Sequence, residues 1–213
     1  MDWFNQTLSS FLDAVDSESP TPGSGVMVAL TGCLGVALGR LIGHLTISRK
    51  SFLDQDESIQ RMFRNNWMLL KKIRLSLMEC VTKDDQAFRD LLAAFKLPKE
   101  TAEEQEKREE VIRQAAEKAI QIPFHVATLC LKALRLIQEM VPYSHRHALG
   151  DVGISTHLLV AAIESSWINV KVNLSNLLDE EKKATYHDKL SKLQEEAMML
   201  REAILQQLND FLT

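Results

Sequence analysis

Asp151, Asn169 and Asn173 stand in an otherwise apolar stretch, and polar groups in such surroundings need partners. The asparagines are four residues apart, and Asp151 lies eighteen residues, five helical turns, before Asn169. On a helix all three therefore fall along one stripe. A carboxylate and two amides so arranged can hold a polar ligand; equally, they can cap a helix and bond within a bundle core. Gly150 and Gly153 bracket Asp151, and six of the chain's eight glycines fall between residues 23 and 43. Glycine is used where backbone turns sharply or approaches something closely. Gly23 and Gly25 precede an expected helix start, whose free N–H groups can receive an anion or a polar ring. A tight turn between helices asks for the same residues.

Other chemistry is less supported. His145 and His147 form an HxH pair near His157, but without an acidic partner at ligand spacing they read as surface histidines, and no metal site is expected. Nucleophile-elbow, P-loop and dinucleotide motifs are absent. Arg61, Arg64, Lys71 and Arg74 share one side of an expected helix, either as a solvated face or as a seat for a polyanionic tail.

The elements that must position these groups are helical throughout. Trp3, Leu8, Phe11, Leu12 and Val15 line a first helix that stops before Ser19-Pro20. A second runs from after Gly25 to about Ser48, with Gly32, Gly35, Gly39 and Gly43 on one face. Each glycine costs about 1 kcal/mol relative to alanine, so that face is expected to pack closely on another helix, of this chain or of a second subunit. A third helix spans roughly residues 57–81, and Asp84-Asp85 suit the first turn of a fourth, which ends at Leu97-Pro98. Thr101 and Glu104 make a capping box for a fifth, with Pro123 as a kink or break. After a polar loop over 142–150, Asp151 is expected to cap a helix apolar through Leu178. Leu190, Leu193, Ala197, Leu200, Ile204 and Phe211 trace a final coiled-coil-like seam. The expected fold is all-α, a single domain over residues 1–213 with about six to eight helices.

Composition sets the class. Apolar residues at 46% and charged residues at 25% describe a globular chain. A net charge of −4 gives no general attraction to nucleic acid or anionic membrane. Cys33, Cys80 and Cys130 read as reduced core thiols. The first residues lack a basic secretory n-region, so the expected compartment is the cytoplasm. Val26 to Ile47 imitates a membrane span, but Arg40 and His44 leave only fourteen residues, 26–39, uncharged; about twenty are needed. No membrane partner is expected.

Ser19-Pro20-Thr21-Pro22-Gly23-Ser24-Gly25, with the small-residue helix ending Leu45-Thr46, resembles the opening motif of the formiminotetrahydrofolate cyclodeaminase family, S-P-T-P-G-G-G-S and then N-L-T. The resemblance continues through Asp84-Asp85-Gln86-Ala87-Phe88 (D-x-x-A-F) and Ala94-Phe95-Lys96-Leu97-Pro98-Lys99 (A-Y-K-L-P-K). It resumes at Ile122-Pro123, at Asp151 and at Asn169-Val170-Lys171-Val172-Asn173-Leu174 (N-V-x-I-N-L), covering about residues 3–180 in order. Departures are Ser24 for the middle glycine, Val26 for serine, His44 for asparagine and Gly150 for serine. The first two alter the turn expected to meet ligand.

What the resemblance implies is an all-α homodimer that takes a tetrahydrofolate derivative as substrate and holds no tightly bound cofactor. Its members expel ammonia from 5-formiminotetrahydrofolate or hydrolyse the methenyl derivative; loss of turnover on the same scaffold is a third reading. Cyclodeamination needs a base for the N10 proton, an acid for the leaving nitrogen and negative charge near the cation. Asp85 and Asp151 are the implied catalytic carboxylates, with Lys96 as a donor to the leaving group or a partner for a substrate carboxylate. Pro22, Gly23, Ser24, Gly25 and Lys99 are the implied substrate contacts, and Asn169 and Asn173 match the alternating donors and acceptors of a pterin edge.

Overall fold

No glycine or proline interrupts the chain from Glu57 to Phe95, and the whole stretch is one helix. In the computed structural model, which describes residues 3–175, 177 and 179–212, the order is α1 (Leu8–Val15), α2 (Ser24–Thr46), α3 (Lys50–Leu53), α4 (Glu57–Phe95), α5 (Ala102–Met140), α6 (Leu149–Leu174) and α7 (Glu180–Leu212). Short 3-10 turns cover Trp3–Asn5, Val141–Tyr143 and Arg146–Ala148. The architecture is an all-α bundle, as expected.

The break expected between residues 81 and 84 does not occur. Asp84 and Asp85 sit inside α4 rather than in a first turn, and Asp85 is supported by Arg89 one turn on. The capping box at Thr101 and Glu104 is formed with both reciprocal bonds. Pro123 does not end α5. Asp151 does not cap α6: the cap position belongs to Ala148, and Asp151 lies in the first turn. α6 ends at Leu174, and Leu178 is outside the described residues. In α7, Leu190, Leu193, Ala197, Ile204 and Leu208 are buried against α5 and α6, whereas Phe211 is exposed.

α2 occupies the centre, packed against α4, α5 and α6. By length and composition it could cross a bilayer, as could Ala102–Tyr143; here α2 supplies core residues such as Val26, Ala29, Val36 and Ile42. Its glycines explain how three helices crowd it. A Cβ at Gly32 would come within 2.8 Å of the Cys130 sulfur, at Gly35 within 2.9 Å of Leu159, and at Gly39 within 2.7 Å of Ile137, while at Gly43 it would overlap the Trp67 ring. The glycine face is therefore filled by this chain's own α4, α5 and α6, and is not open to a second subunit.

Cys33, Cys80 and Cys130 are free and buried. Burial pushes the Cys33 thiol up to about 12 and Cys80 up to about 11, so both stay protonated at neutral pH.

Two glycine substitutions are expected to have opposite signs. Trp67 is fixed by its Nε1 donating to the Arg40 carbonyl at 3.0 Å, so Gly43→Ala overpacks a ring that cannot yield. That costs about 1–3 kcal/mol, more than the roughly 1 kcal/mol of helix propensity gained. Gly150 has nothing within 4 Å of a built Cβ and no positive φ, so Gly150→Ala should raise the melting temperature. Thermal melts of the two variants check this; equal shifts would contradict it.

Candidate functional site: a cleft at the N-terminus of the central helix

The first turn of α2 meets the C-terminal third of α4 and the last turns of α6 around a cleft of about 550 Å³. Pro20, Gly23, Ser24 and Gly25 form one wall, Asp84, Asp85 and Phe88 a second, and Ile168, Asn169, Val172 and Asn173 a third. The volume falls within the range of small-molecule sites. Ile168 and Val172 are 62% and 65% exposed, giving an apolar rim on which a flat ring can lie.

The two aspartates differ in environment. Asp85 is buried, and Arg89 grips it through Nε at 3.2 Å and Nη2 at 3.4 Å. The same Nη2 donates to the Thr21 hydroxyl at 2.7 Å, and the Ser19 hydroxyl donates to the Thr21 carbonyl at 2.7 Å. Arg89 thus straps the Pro20–Gly23 loop to α4. Asp84 lies instead against the first turn of α2, and a Cβ at Gly25 would fall on its carboxylate. Burial first, and then the charge of Asp85, push the Asp84 carboxyl up to about 6. A carboxyl that titrates near neutral pH can both take and return a proton.

The asparagines form a relay that begins at Pro123. Proline has no N–H, so the carbonyl four residues earlier, Ala119, loses its helical donor. Asn173 Nδ2 fills that vacancy at 2.9 Å and also donates to Asn169 Oδ1 at 2.8 Å. Asn169 is thereby oriented, and its Nδ2 donates to the Ser24 hydroxyl at 3.1 Å. Both N–H groups of Asn173 are occupied, which leaves its Oδ1 to accept from a ligand ring.

Of the residues expected at the site, the structure brings together Gly23, Ser24, Gly25, Asp85, Asn169 and Asn173. Pro22 is buried in the loop behind the cleft and does not line it. Asp151 is not part of it: eighteen residues of helix separate Asp151 from Asn169, about 27 Å along α6. Lys96 and Lys99 follow the end of α4, exposed and beyond the cleft. Sequence reasoning missed Arg89 and chose Asp85 over Asp84. The spacing D-x-x-A-F, laid on Ala87-Phe88, selects Asp84. Of the departures, Ser24 and Val26 line the cleft, while His44 stacks edge-on against Trp67 at 4.9 Å at the other end of α2.

The family model described as formiminotransferase-cyclodeaminase matches residues 7–192. The chain belongs to this family. A methenyltetrahydrofolate cyclohydrolase from Methylorubrum extorquens is 28% identical to this cyclodeaminase-family chain over 175 residues, covering 82% of each protein. The formimidoyltransferase-cyclodeaminase of Gallus gallus is 31% identical over 89% of the chain, which spans only 34% of that longer relative. The fold matches a formiminotetrahydrofolate cyclodeaminase from Thermotoga maritima with a TM-score of 0.85 at 19% identity, over 99% of both chains. The relatives are folate-converting enzymes, and the all-α architecture is shared with the Thermotoga protein.

Proposed function

We propose that this chain is a formiminotetrahydrofolate cyclodeaminase, binding its substrate in the cleft between α2, α4 and α6 and working as a homodimer. The observation that carries the reading is Asp84, a carboxyl raised to about 6 where an apolar cleft meets a helix start. N10 attacks the carbon of the N5-formimino group, in its amidinium form, to give a tetrahedral aminal. Asp84 takes the N10 proton and passes it to the aminal nitrogen. The carbon–nitrogen bond to that ammonium then breaks, releasing ammonia and leaving the methenyl cation. Asp85, held by Arg89, supplies negative charge beside that cation. Asn169 and Asn173 bind the pterin edge, and Asp151, Lys96 and Lys99 have no role at this cleft.

A cyclohydrolase reaction is the second reading, favoured by the 28% identity of the Methylorubrum cyclohydrolase over 175 residues. There Asp84 would take a proton from the water that attacks the methenyl carbon. Incubation with each substrate separates the two. Ammonia release with growth of methenyl absorbance is the expected result, and decay of added methenyltetrahydrofolate without ammonia chemistry supports the second reading. Inertness toward both would contradict a folate enzyme and leave a non-catalytic module.

A further inference from the structure

The asparagine relay has a direction, and a proline on α5 sets it. The Ala119 residue is buried and its carbonyl lacks the helical N–H that Pro123 cannot supply, so the group beside it must be a donor. Asn173 therefore presents Nδ2 there and not Oδ1, at 2.9 Å. The same Nδ2 donates to Asn169 Oδ1 at 2.8 Å, which turns Asn169 Nδ2 toward Ser24. Ser24 Oγ accepts that bond at 3.1 Å, and its own O–H donates to nothing among the described residues. Turning over Asn173 sets two oxygens face to face, and turning over Asn169 alone sets two amide NH2 groups face to face. The groups left for a ligand are thereby fixed at both ends. Asn173 keeps Oδ1, which can only accept; Asn169 keeps one N–H and Ser24 its O–H, which donate. All three residues line the cleft.

We infer that Ser24 is a specificity-determining residue of this cleft: its O–H, with the spare N–H of Asn169, receives a ring carbonyl, while Asn173 Oδ1 receives the ring N–H beside that carbonyl. A cyclic amide edge is the chemistry that meets this row, because a carbonyl oxygen has two lone pairs for the two donors. A cyclic amidine edge, an amino group next to a bare ring nitrogen, offers the reverse and leaves donor against donor and acceptor against acceptor. The inference rests on the folate reading for the identity of the ring: in a pterin the carbonyl is the 4-oxo group and the N–H is at N3. Position supports that assignment. The 4-oxo oxygen is the peri neighbour of N5, and Ser24 immediately precedes Gly25, where a Cβ would fall on the Asp84 carboxylate. A carbonyl held at Ser24 thus brings N5, the nitrogen that bears the one-carbon group, beside the carboxyl that serves it. The motif this chain resembles has glycine in place of Ser24, so the donor belongs to this chain's own version of the turn.

Folic acid and aminopterin differ only at this edge, 4-oxo with N3–H against 4-amino with a bare N3, and each is titrated calorimetrically into the whole protein at neutral pH. Wild type should bind folic acid about 10–10²-fold more tightly. Ser24→Ala, a change at an exposed position, should weaken folic acid about tenfold and leave aminopterin nearly unchanged. Pro123→Ala returns a helical N–H to the Ala119 carbonyl and frees Asn173 to turn over, so aminopterin should gain on folic acid. Damage to packing alone would weaken both compounds alike. Equal binding of the two by wild type, binding of neither, or a preference undiminished in Ser24→Ala would overturn the inference. If Pro123→Ala does not fold, Ser24→Ala decides alone. Kinetics separate this failure from that of the folate reaction. A preference for folic acid without turnover of either folate substrate sinks the reaction and leaves the role of Ser24. Turnover alongside equal binding of the two compounds sinks the role of Ser24 and leaves the reaction.

Discussion

Replacing Asp84 with asparagine is expected to raise the melting temperature at neutral pH while lowering turnover by about 10²–10⁴, the usual range for loss of a positioned proton-transfer group. The two effects share one cause. The Asp84 carboxyl sits at about 6 in the fold against an ordinary 3.8, so the native state holds the proton more tightly than the unfolded chain does. Its contribution to stability is therefore complete below about pH 4 and is lost as pH rises through about 6, a decline on the order of 1–3 kcal/mol. Asparagine carries no charge to bury and should not show that decline. Melts of both proteins between about pH 4 and about pH 8 test the stability half. A variant that melts lower than wild type at every pH would contradict the placement of Asp84, because an ordinary hydrogen-bonded carboxylate behaves in that way.

The second large effect is expected from a single methyl group. Gly25→Ala places a Cβ on the Asp84 carboxylate. That carboxylate ends a rotatable side chain, so it can swing aside at small cost, and alanine returns about 1 kcal/mol of helix propensity. Stability should hardly change. Catalysis should suffer, since displacing a reacting group by about 1 Å can cost of order 10²-fold. The expected outcome is native melting with turnover reduced by about 10–10² and a rate that no longer follows the Asp84 titration. Native turnover in Gly25→Ala would mean that Asp84 is not where the proton moves. Gly43→Ala is the useful contrast: it too overfills space beside α2, but against a pinned ring far from the cleft, so it should change stability and spare the site.

The helices were legible where local chemistry decides them. Thr101 and Glu104 announced the start of α5, and the asparagine pair announced a polar face on α6, because a cap and a four-residue spacing are properties of neighbouring residues. The Asp84-Asp85 pair was misread as a helix start because carboxylates do favour first turns; nothing short of glycine or proline obliged α4 to stop there. Arg89 lies one turn beyond Asp85 and its ion pair was within reach of the sequence. Its bond to Thr21, across 68 positions, depends on how α4 packs beside the opening loop. The link from Pro123 to Asn173 was hidden for the same reason: a missing N–H is local, but the amide that fills its place comes from another helix. Asp151 shares a face with Asn169 by helical arithmetic, as expected. Face, however, says nothing of distance along the axis, and the axis separates them.

The glycines divide in the same way. Those of α2 each touch a neighbouring helix, as the cost of helical glycine suggested they must. Gly150 and Gly153 meet no such crowding, with the nearest atom to a built Cβ being 3.5 Å away at Gly153. Clustering of glycine was a sound signal only where the structure packs something against it.

The most direct measurement is the pH dependence of kcat/KM for ammonia release from 5-formiminotetrahydrofolate, in wild type and Asp84→Asn. A base that must be ionised in the free enzyme predicts a rate that climbs with pH through about 6 and then levels. The variant should be slower throughout and lack that limb. A wild-type profile that is flat across this range, or a limb that survives in Asp84→Asn, would contradict proton transfer at the α2–α4 cleft.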